Sequence, residues 1–519
     1  MGQIVKGIDY AERFLQRTVP FVWPSFGEIV WYSTLTLAIV ICGTVLAAVL
    51  SIPVASLAAR NTTPGKSTRW VGRALTVVTR AAPDAILALI FALIIGQGAL
   101  AGILALGIHS IGMISKLTAD AIEQIDEGPR LALRAAGATR SQEFWGAIWP
   151  QILPAFVAIV LHRTDINLRV SVILGFVGVY GLGYELSHHL QTLNYREAMP
   201  YAIIIFVLCV AFEIIASAVR RTLLGVEPTG KGLGDRTVRA FTKGRSAKTE
   251  DAAASAPQRP SRVRPWDRAR LANTVFAWFA AIAVVGSIVV ASTQTSSFAN
   301  VWQNAVIAWN RLWPPMMARE KWEPVFFALL ETVQIALAAT LFALAFSAII
   351  GSFSARNVAP NTATRNAFRF LLVGIRGLPE LLLALFFIIL TGLGSGAAVL
   401  ALGIGGIGLL GKLFADSLEE VDPGPERALR ATGASRLQIF GSATLPQAAP
   451  AFIGHTLYMF DTNVRSATIL GIVGGGGIGY MLSAAARVNQ HELLFLLLCV
   501  LVIVLLIEAL SSWIRQLIS

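Results

Sequence analysis

The sequence predicts an all-α polytopic membrane protein built from two parallel five-helix units joined by one further membrane helix, about 11 spans in all. Three observations lead there. Of 519 residues, 55% are hydrophobic and only 14% charged, which is too apolar for a soluble domain of ordinary composition. Runs of roughly 20 apolar residues, the length that crosses a hydrocarbon core, recur along nearly the whole chain. Sliding the sequence on itself by 296 residues superposes one half on the other, without a gap, from Thr36 on Thr332 to Tyr184 on Tyr480.

The elements follow in order. An N-terminal segment, 1–28, carries Lys6, Arg13 and Arg17 on an amphipathic stretch and lacks the apolar core and cleavage site of a secretory signal. The first unit, 29–220, holds apolar runs near 29–57, 82–98, 99–116, 151–177 and 199–219. A linker, 221–270, comes next. Between Arg220 and Arg270, 13 Lys/Arg face 5 Asp/Glu, a net of +8 out of the chain's +12. This stretch is rich in Gly, Ala, Ser and Pro and poor in large apolar residues, so it reads as a disordered cytoplasmic connector and not as a nucleic-acid surface. An extra membrane helix, 271–293, an external amphipathic segment, 294–324, and the second unit, 325–519, complete the chain. The second unit's runs lie near 325–353, 371–392, 394–411, 447–473 and 492–512.

Five spans per unit would invert the second unit if the two were joined directly, and the extra helix restores the same orientation to both. Charge agrees. Arg60, Lys66, Arg69, Arg73 and Arg80 in one unit, and Arg356, Arg365 and Arg369 in the other, fall on the side of the basic linker, which places the N-terminus outside and the C-terminus in the cytoplasm.

No chemistry of its own is expected. Cys42, Cys209 and Cys499 sit in apolar runs as small hydrophobes, and the six histidines show no ligand spacing shared by the halves, so no metal is expected. Gly65-Lys66-Ser67 lacks the earlier glycine of a phosphate-cradling loop. The chain is therefore expected to be no enzyme and to hold no nucleotide.

Between the third and fourth runs of each unit lies a polar stretch, ADAIEQIDEGPRLALRAAGATRSQEFWGAIWPQILPAF in one and ADSLEEVDPGPERALRATGASRLQIFGSATLPQAAPAF in the other. Each reads as a short helix opened by Gly-Pro, a glycine stop and a second short helix, forming a knob on the cytoplasmic face. Gly128, Arg134, Gly137 and Ala138 recur in the second copy as Gly424, Arg430, Gly433 and Ala434.

These stretches resemble the cytoplasmic loop of permeases of ATP-binding-cassette importers. Gly137 and Gly433 match its glycine, and Ala147 to Pro150 and Ala443 to Pro446 match its tail imperfectly. Leu131 and Arg427 stand where that family has its opening glutamate. The resemblance implies a type I importer permease fold in the plasma (inner) membrane. It implies that the eight knob residues couple to two cytoplasmic ATPase subunits, which carry ATP and Mg so that this chain holds no cofactor. One extracytoplasmic solute-binding protein is implied as well, and the fused halves imply one permease chain per complex.

A narrower resemblance lies in DTNVRSATILGIVGGGGIGY, Asp461 to Tyr480, and its divergent copy DINLRVSVILGFVGVYGLGY, which look like phosphonate-type permeases, as do Arg376-Gly-Leu-Pro-Glu380 and Ser354-Ala-Arg-Asn357. This resemblance implies a small phosphorus oxyanion as cargo: phosphonate, with phosphate or phosphite as close relatives. A permease for methionine or another small solute, and an ion-gradient-driven carrier, are the competing readings.

Within these stretches Asp165 and Arg169, like Asp461 and Arg465, stand four residues apart on one helix face, while Asn167 and Asn463 point elsewhere. Two readings stay open: internal salt bridges, or the polar wall of a translocation pathway between the halves. Gly474 to Gly477 reads as a turn at the outer end of a span, with Gly475 and Gly476 as pathway candidates. Arg80 with Asp84, and Arg376 with Glu380, bracket a proline and read as helix capping.

Overall fold

The computed structural model describes residues 16, 18–81, 83–224, 268–294 and 301–518, and every regular element among them is helical. Most of the N-terminal segment and of the basic linker lies outside the described residues. The first unit opens with α1 (Phe26–Ala58), started by a capping box in which Ser25 N donates to Glu28 and Glu28 N to Ser25 Oγ. At 33 residues it is roughly 50 Å long and crosses with margin. A bent pair follows: α2 (Lys66–Ala81) and α3 (Asp84–Ile95), set 85° apart. α2 is basic and amphipathic, and α3, at 12 residues and roughly 18 Å, is too short to cross alone. α4 (Ala99–Glu123) then crosses, and the knob helices α5 (Gly128–Ala135) and α6 (Arg140–Glu143) lead through a π-helical turn, Phe144–Ile148, into α7 (Trp149–Gly175). The unit closes with α8 (Leu182–Gln191) and α9 (Tyr195–Leu224).

α10 (Arg268–Ser292) and the short α11 (Val301–Leu312) connect to a second unit with the same order. It comprises α12 (Trp322–Ser354), the pair α13 (Thr362–Gly377) and α14 (Glu380–Thr391) bent by 83°, and α15 (Ser395–Glu419). The knob helices α16 (Pro423–Ala431) and α17 (Arg436–Ile439), a π-helical turn, α18 (Leu445–Ile472), α19 (Ile478–Val488) and α20 (Gln490–Ile518) complete it.

Seven described helices are long and apolar enough to cross a membrane, and nine crossings result if each bent pair counts as one. The remaining predicted crossings fall on the shorter apolar stretch Ala277–Ser292 of α10 and on α18, the counterpart of α7. The second predicted run of each unit is thus an elbow. Leu378, before Pro379, is extended at φ −81° and ψ 119°, because a residue preceding proline is driven out of the helical region.

The two units run parallel. α1 starts on one side of the bundle and ends on the knob side, the bent pair returns, and α4 begins where α1 began. Ala99 N donates to the carbonyl of Gln294 at 3.4 Å, so α10 ends on that same far side. The segment onward contains the 12-residue α11, too short to cross, and α12 therefore starts on the side where α1 starts.

Small residues let the crossings close. A Cβ on Gly43 of α1 would come within 3.0 Å of Leu106 Cβ on α4, and one on Gly107 within 3.3 Å of the Gly43 carbonyl. The repeated Thr36 and Thr332 have a matching task. Their hydroxyls accept from Leu182 N and Ile478 N at 2.9 Å, fixing the first turns of α8 and α19 against α1 and α12.

In a background lacking Cys42, Cys209 and Cys499, single cysteines replacing the exposed Ser141 and Leu437 should react with an impermeant maleimide from one and the same side of sealed vesicles. A cysteine replacing Thr293 should react from the other. Labelling of Ser141→Cys and Leu437→Cys from opposite sides would mean inverted units.

Candidate functional site

Two features stand out: the paired knobs and a pair of buried ion clusters. The knobs share one backbone design. Asp126 and Asp422 accept through Oδ1 from Gly128 N and Gly424 N at 2.9 Å, opening the first helix. Its end is a Schellman motif in both copies. Ala138 N reaches Leu133 O at 3.0 Å and Gly137 N reaches Arg134 O at 3.0 Å, matched by Ala434 to Leu429 at 3.2 Å and Gly433 to Arg430 at 3.1 Å. Gly137 and Gly433 sit at φ +82° and +81° with open space around a notional Cβ, so backbone conformation, not crowding, requires glycine there. Thr139 with Gln142, and Ser435 with Gln438, form capping boxes for the second helix. Leu131, Trp145 and Leu437 are left exposed on the knobs.

The side chains that brace the knobs differ. In the first, Arg134 grips Glu143 through two bonds of 3.0 Å and Arg130 adds a third at 3.2 Å. The hydrogen bonds from Arg134 hold the Glu143 carboxyl below the ordinary carboxylate range and raise the Arg134 guanidinium in turn. In the second, Ile439 replaces Glu143, and the brace is Glu426, which accepts from Thr444 Oγ1 at 2.6 Å and Asn357 Nδ2 at 3.2 Å. Arg430 is exposed and has no ion pair among the described residues.

Farther along α7 and α18, both predicted salt bridges are present. Arg169 Nη2 donates to Asp165 Oδ2 at 2.6 Å and Arg465 Nη2 to Asp461 Oδ2 at 2.7 Å. Asn167 and Asn463 point away and donate to Thr44 and Thr340 at 2.9 Å, tying α7 to α1 and α18 to α12.

Each pair belongs to a larger cluster that the sequence did not announce. Arg376, at the elbow of the second unit, bonds both oxygens of Glu213 on α9 at 3.2 Å and lies 3.9 Å from Asp165, while Arg169 reaches Glu213 at 3.4 Å. Reciprocally Arg80, at the elbow of the first unit, pairs with Glu508 on α20, and Arg465 Nη1 donates to the Arg80 carbonyl at 3.2 Å. The reciprocity is what a two-fold relation between units produces. The eight side chains are between 1% and 20% exposed, so their charges have to be paired.

The capping expectation is corrected in part. Asp84 and Glu380 do sit in first turns, with Asp84 also 2.9 Å from His109 Nδ1, but Arg80 and Arg376 occupy the last turns of α2 and α13 and bind the opposite unit. Gly475 and Gly476 lie apart from these clusters' partners, in the turn between α18 and α19. Gly475 N donates to Leu470 O at 2.9 Å, and Gly476, at φ +81°, would place a Cβ 2.7 Å from Glu331 Oε1. No group of three or more His, Cys, Asp or Glu among the described residues could hold a metal ion.

Residues 51–224 and 347–519 each match the family model described as binding-protein-dependent transport system inner membrane component. The chain is 38% identical over 514 residues to the phosphate-import permease protein PhnE of Mycolicibacterium smegmatis, covering 99% of this chain and 90% of that one. It is 40% identical over 186 residues to the phosphite transport system permease protein PtxC of Stutzerimonas stutzeri, covering 36% of this chain and 68% of the relative. Over 119 residues it is 42% identical to a putative cryptic phosphonate transport system permease protein, PhnE2, of Escherichia coli, covering 23% of this chain and 98% of that one.

Arg376→Gln and Glu213→Gln each remove one side of a buried ion pair and should each cost about 3 kcal/mol. The double variant should cost less than their sum by about 1 kcal/mol or more, read by thermal unfolding in detergent. Additive losses would mean that the two groups do not interact.

Proposed function

We propose that this chain, which belongs to the family of binding-protein-dependent transport system inner membrane components, is the permease of an ATP-driven importer and carries a small phosphorus oxyanion: phosphonate, phosphate or phosphite. The observation that carries this reading is the end-to-end likeness to the M. smegmatis phosphate-import permease, which spans both units and the connection between them. In this reading the knobs and the basic linker face the cytoplasm, as does the C-terminus. Each knob seats on one of two ATPase subunits, where ATP is hydrolysed, and one solute-binding protein delivers cargo to the far side. A single fused chain supplies both halves of the path.

The geometry supports a route for the stroke. A knob displaced by its ATPase moves the π-helical turn and the helix rigidly continuous with it, α7 or α18, and those helices carry Asp165 with Arg169 and Asp461 with Arg465. These residues engage the opposite unit's elbow, so movement at a knob reaches the interface between halves. Arginine offers planar donors suited to phosphoryl oxygens, which makes Arg169 and Arg465 the candidate contacts for the anion in transit, with Gly475 and Gly476 as the candidate hinge at the far side.

The test is uptake by the complex reconstituted with its ATPase and binding protein. Labelled methylphosphonate, phosphate or phosphite should accumulate in an ATP-dependent way, and import of methionine with no phosphorus compound would defeat the cargo assignment. Arg169→Gln with Arg465→Gln should lower uptake by roughly tenfold or more, the worth of one charge-assisted hydrogen bond, in a complex that still assembles. Normal import by that variant would make the arginines structural locks. Gly137→Val with Gly433→Val strains both Schellman turns and should lower substrate-stimulated ATP hydrolysis, and unchanged stimulation would remove the docking role of the knobs.

A further inference from the structure

We propose that each buried ion cluster is a two-arginine oxyanion site in which a carboxylate of the chain itself, Glu213 in one and Glu508 in the other, stands where the cargo oxyanion binds. This rests on the reading of the chain as a phosphorus-oxyanion permease. The first site takes one arginine from each unit, Arg169 with Arg376; in the second, Arg80 holds Glu508 and Arg465 donates to the Arg80 carbonyl, and it is assigned as the two-fold counterpart of the first. Glu213 bridges the first site's two guanidinia, with both oxygens on Arg376 and one also on Arg169. That is the contact a phosphoryl group makes with paired arginines.

In the Glu213 cluster the distances separate holder from occupant. Asp165 and Asp461 lie at 2.6 and 2.7 Å from the arginine four residues on, within the range of strong charge-assisted bonds, and so orient it. The Glu213 contacts are 3.2 to 3.4 Å long, at the weak end. A loosely held carboxylate is one that another anion can displace. Donor capacity points the same way. The Nε groups of Arg169 and Arg80 are buried and make no hydrogen bond among the described residues, so a two-oxygen carboxylate leaves donors over that a phosphoryl group with three or more oxygens would use.

Charge balance makes the exchange feasible. Each cluster holds two arginines and two carboxylates and is neutral, and it stays neutral when a monoanion takes the place of Glu213 or Glu508 as α9 or α20 withdraws. Cargo binding is then coupled to a shift of the last helix of a unit. The carboxylate's return expels the anion, so neither site becomes a trap.

The experiment measures thermal unfolding of the full chain in detergent, in inorganic phosphate against chloride at matched ionic strength. Glu213→Gln with Glu508→Gln frees the arginines, and phosphate should raise its Tm by roughly 2–4 °C over chloride, against little change for the unsubstituted chain. Adding Arg376→Gln and Arg80→Gln should abolish the rise. No phosphate-specific rise, or a rise that survives loss of both arginines, overturns the proposal. Should the Gln variant fail to fold, Glu213→Asp with Glu508→Asp shortens the reach of the carboxylates while keeping their charge. It should show a smaller rise, and a response equal to that of the unsubstituted chain overturns the proposal. Normal phosphonate uptake without any phosphate response defeats this inference alone. A phosphate-responsive variant of a complex that imports no phosphorus compound keeps an anion site but removes its cargo, and so defeats the proposal as stated.

Discussion

A guanidinium buried among apolar helices has to be neutralised, and in this chain Arg80 and Arg376 are neutralised by the unit to which they do not belong. The rest of the bundle is arranged around that requirement. Each arginine reaches across because its helix stops at a proline elbow, which turns the last residues of α2 and α13 toward the interface. The acceptors are in place because α7 and α18 carry Asp and Arg one turn apart and because the apolar middle stretches of α9 and α20 bring Glu213 and Glu508 to the elbows. Separating the halves at this level would break the Arg80–Glu508 and Arg376–Glu213 pairs while leaving Asp165–Arg169 and Asp461–Arg465 intact, so an opening movement has to supply Arg80 and Arg376 with other partners.

The surrounding frame is stiff where the clusters need it to be. Asn167 and Asn463 pin the middle of α7 and α18 to the first helix of their units, and Thr36 and Thr332 pin the short α8 and α19 to those same helices. The first helix of each unit thus serves as a mast to which the polar parts are tied, with glycine and alanine crossings keeping α4 close alongside. Hydrogen bonds between neutral side chains do this work at low cost, since no charge has to be buried for them.

Much of this was legible in the sequence because a duplication shows which residues are held fixed. The repeated Gly-Pro, Gly-Ala and Asp-x-x-x-Arg patterns mark the knobs and the intrahelical pairs, and the extra run between two units of five sets their parallel order. Two things stayed hidden. Glu213 and Glu508 stand 295 residues apart, not 296, so the alignment that reveals the other pairs places Glu213 on Ala509, and the common role of the two glutamates is lost. Arg80 and Arg376 align well, but a contact with the other unit leaves no periodicity in either, and proximity to a proline suggested a local capping role. A lone acid in an otherwise apolar run was the available signal, since burying one without a partner is costly.

The braces of the two knobs have a consequence in genetics. Where identical permease subunits pair, one gene dictates both contact surfaces, and any change is made twice. Fusion releases that bond. Glu143 with Arg134 on one side, and Ile439 with a solvent-facing Arg430 on the other, are alternatives that a single gene for identical halves could not have encoded together. Each knob has its own mutational history, and a change in one leaves the brace of the other as it was.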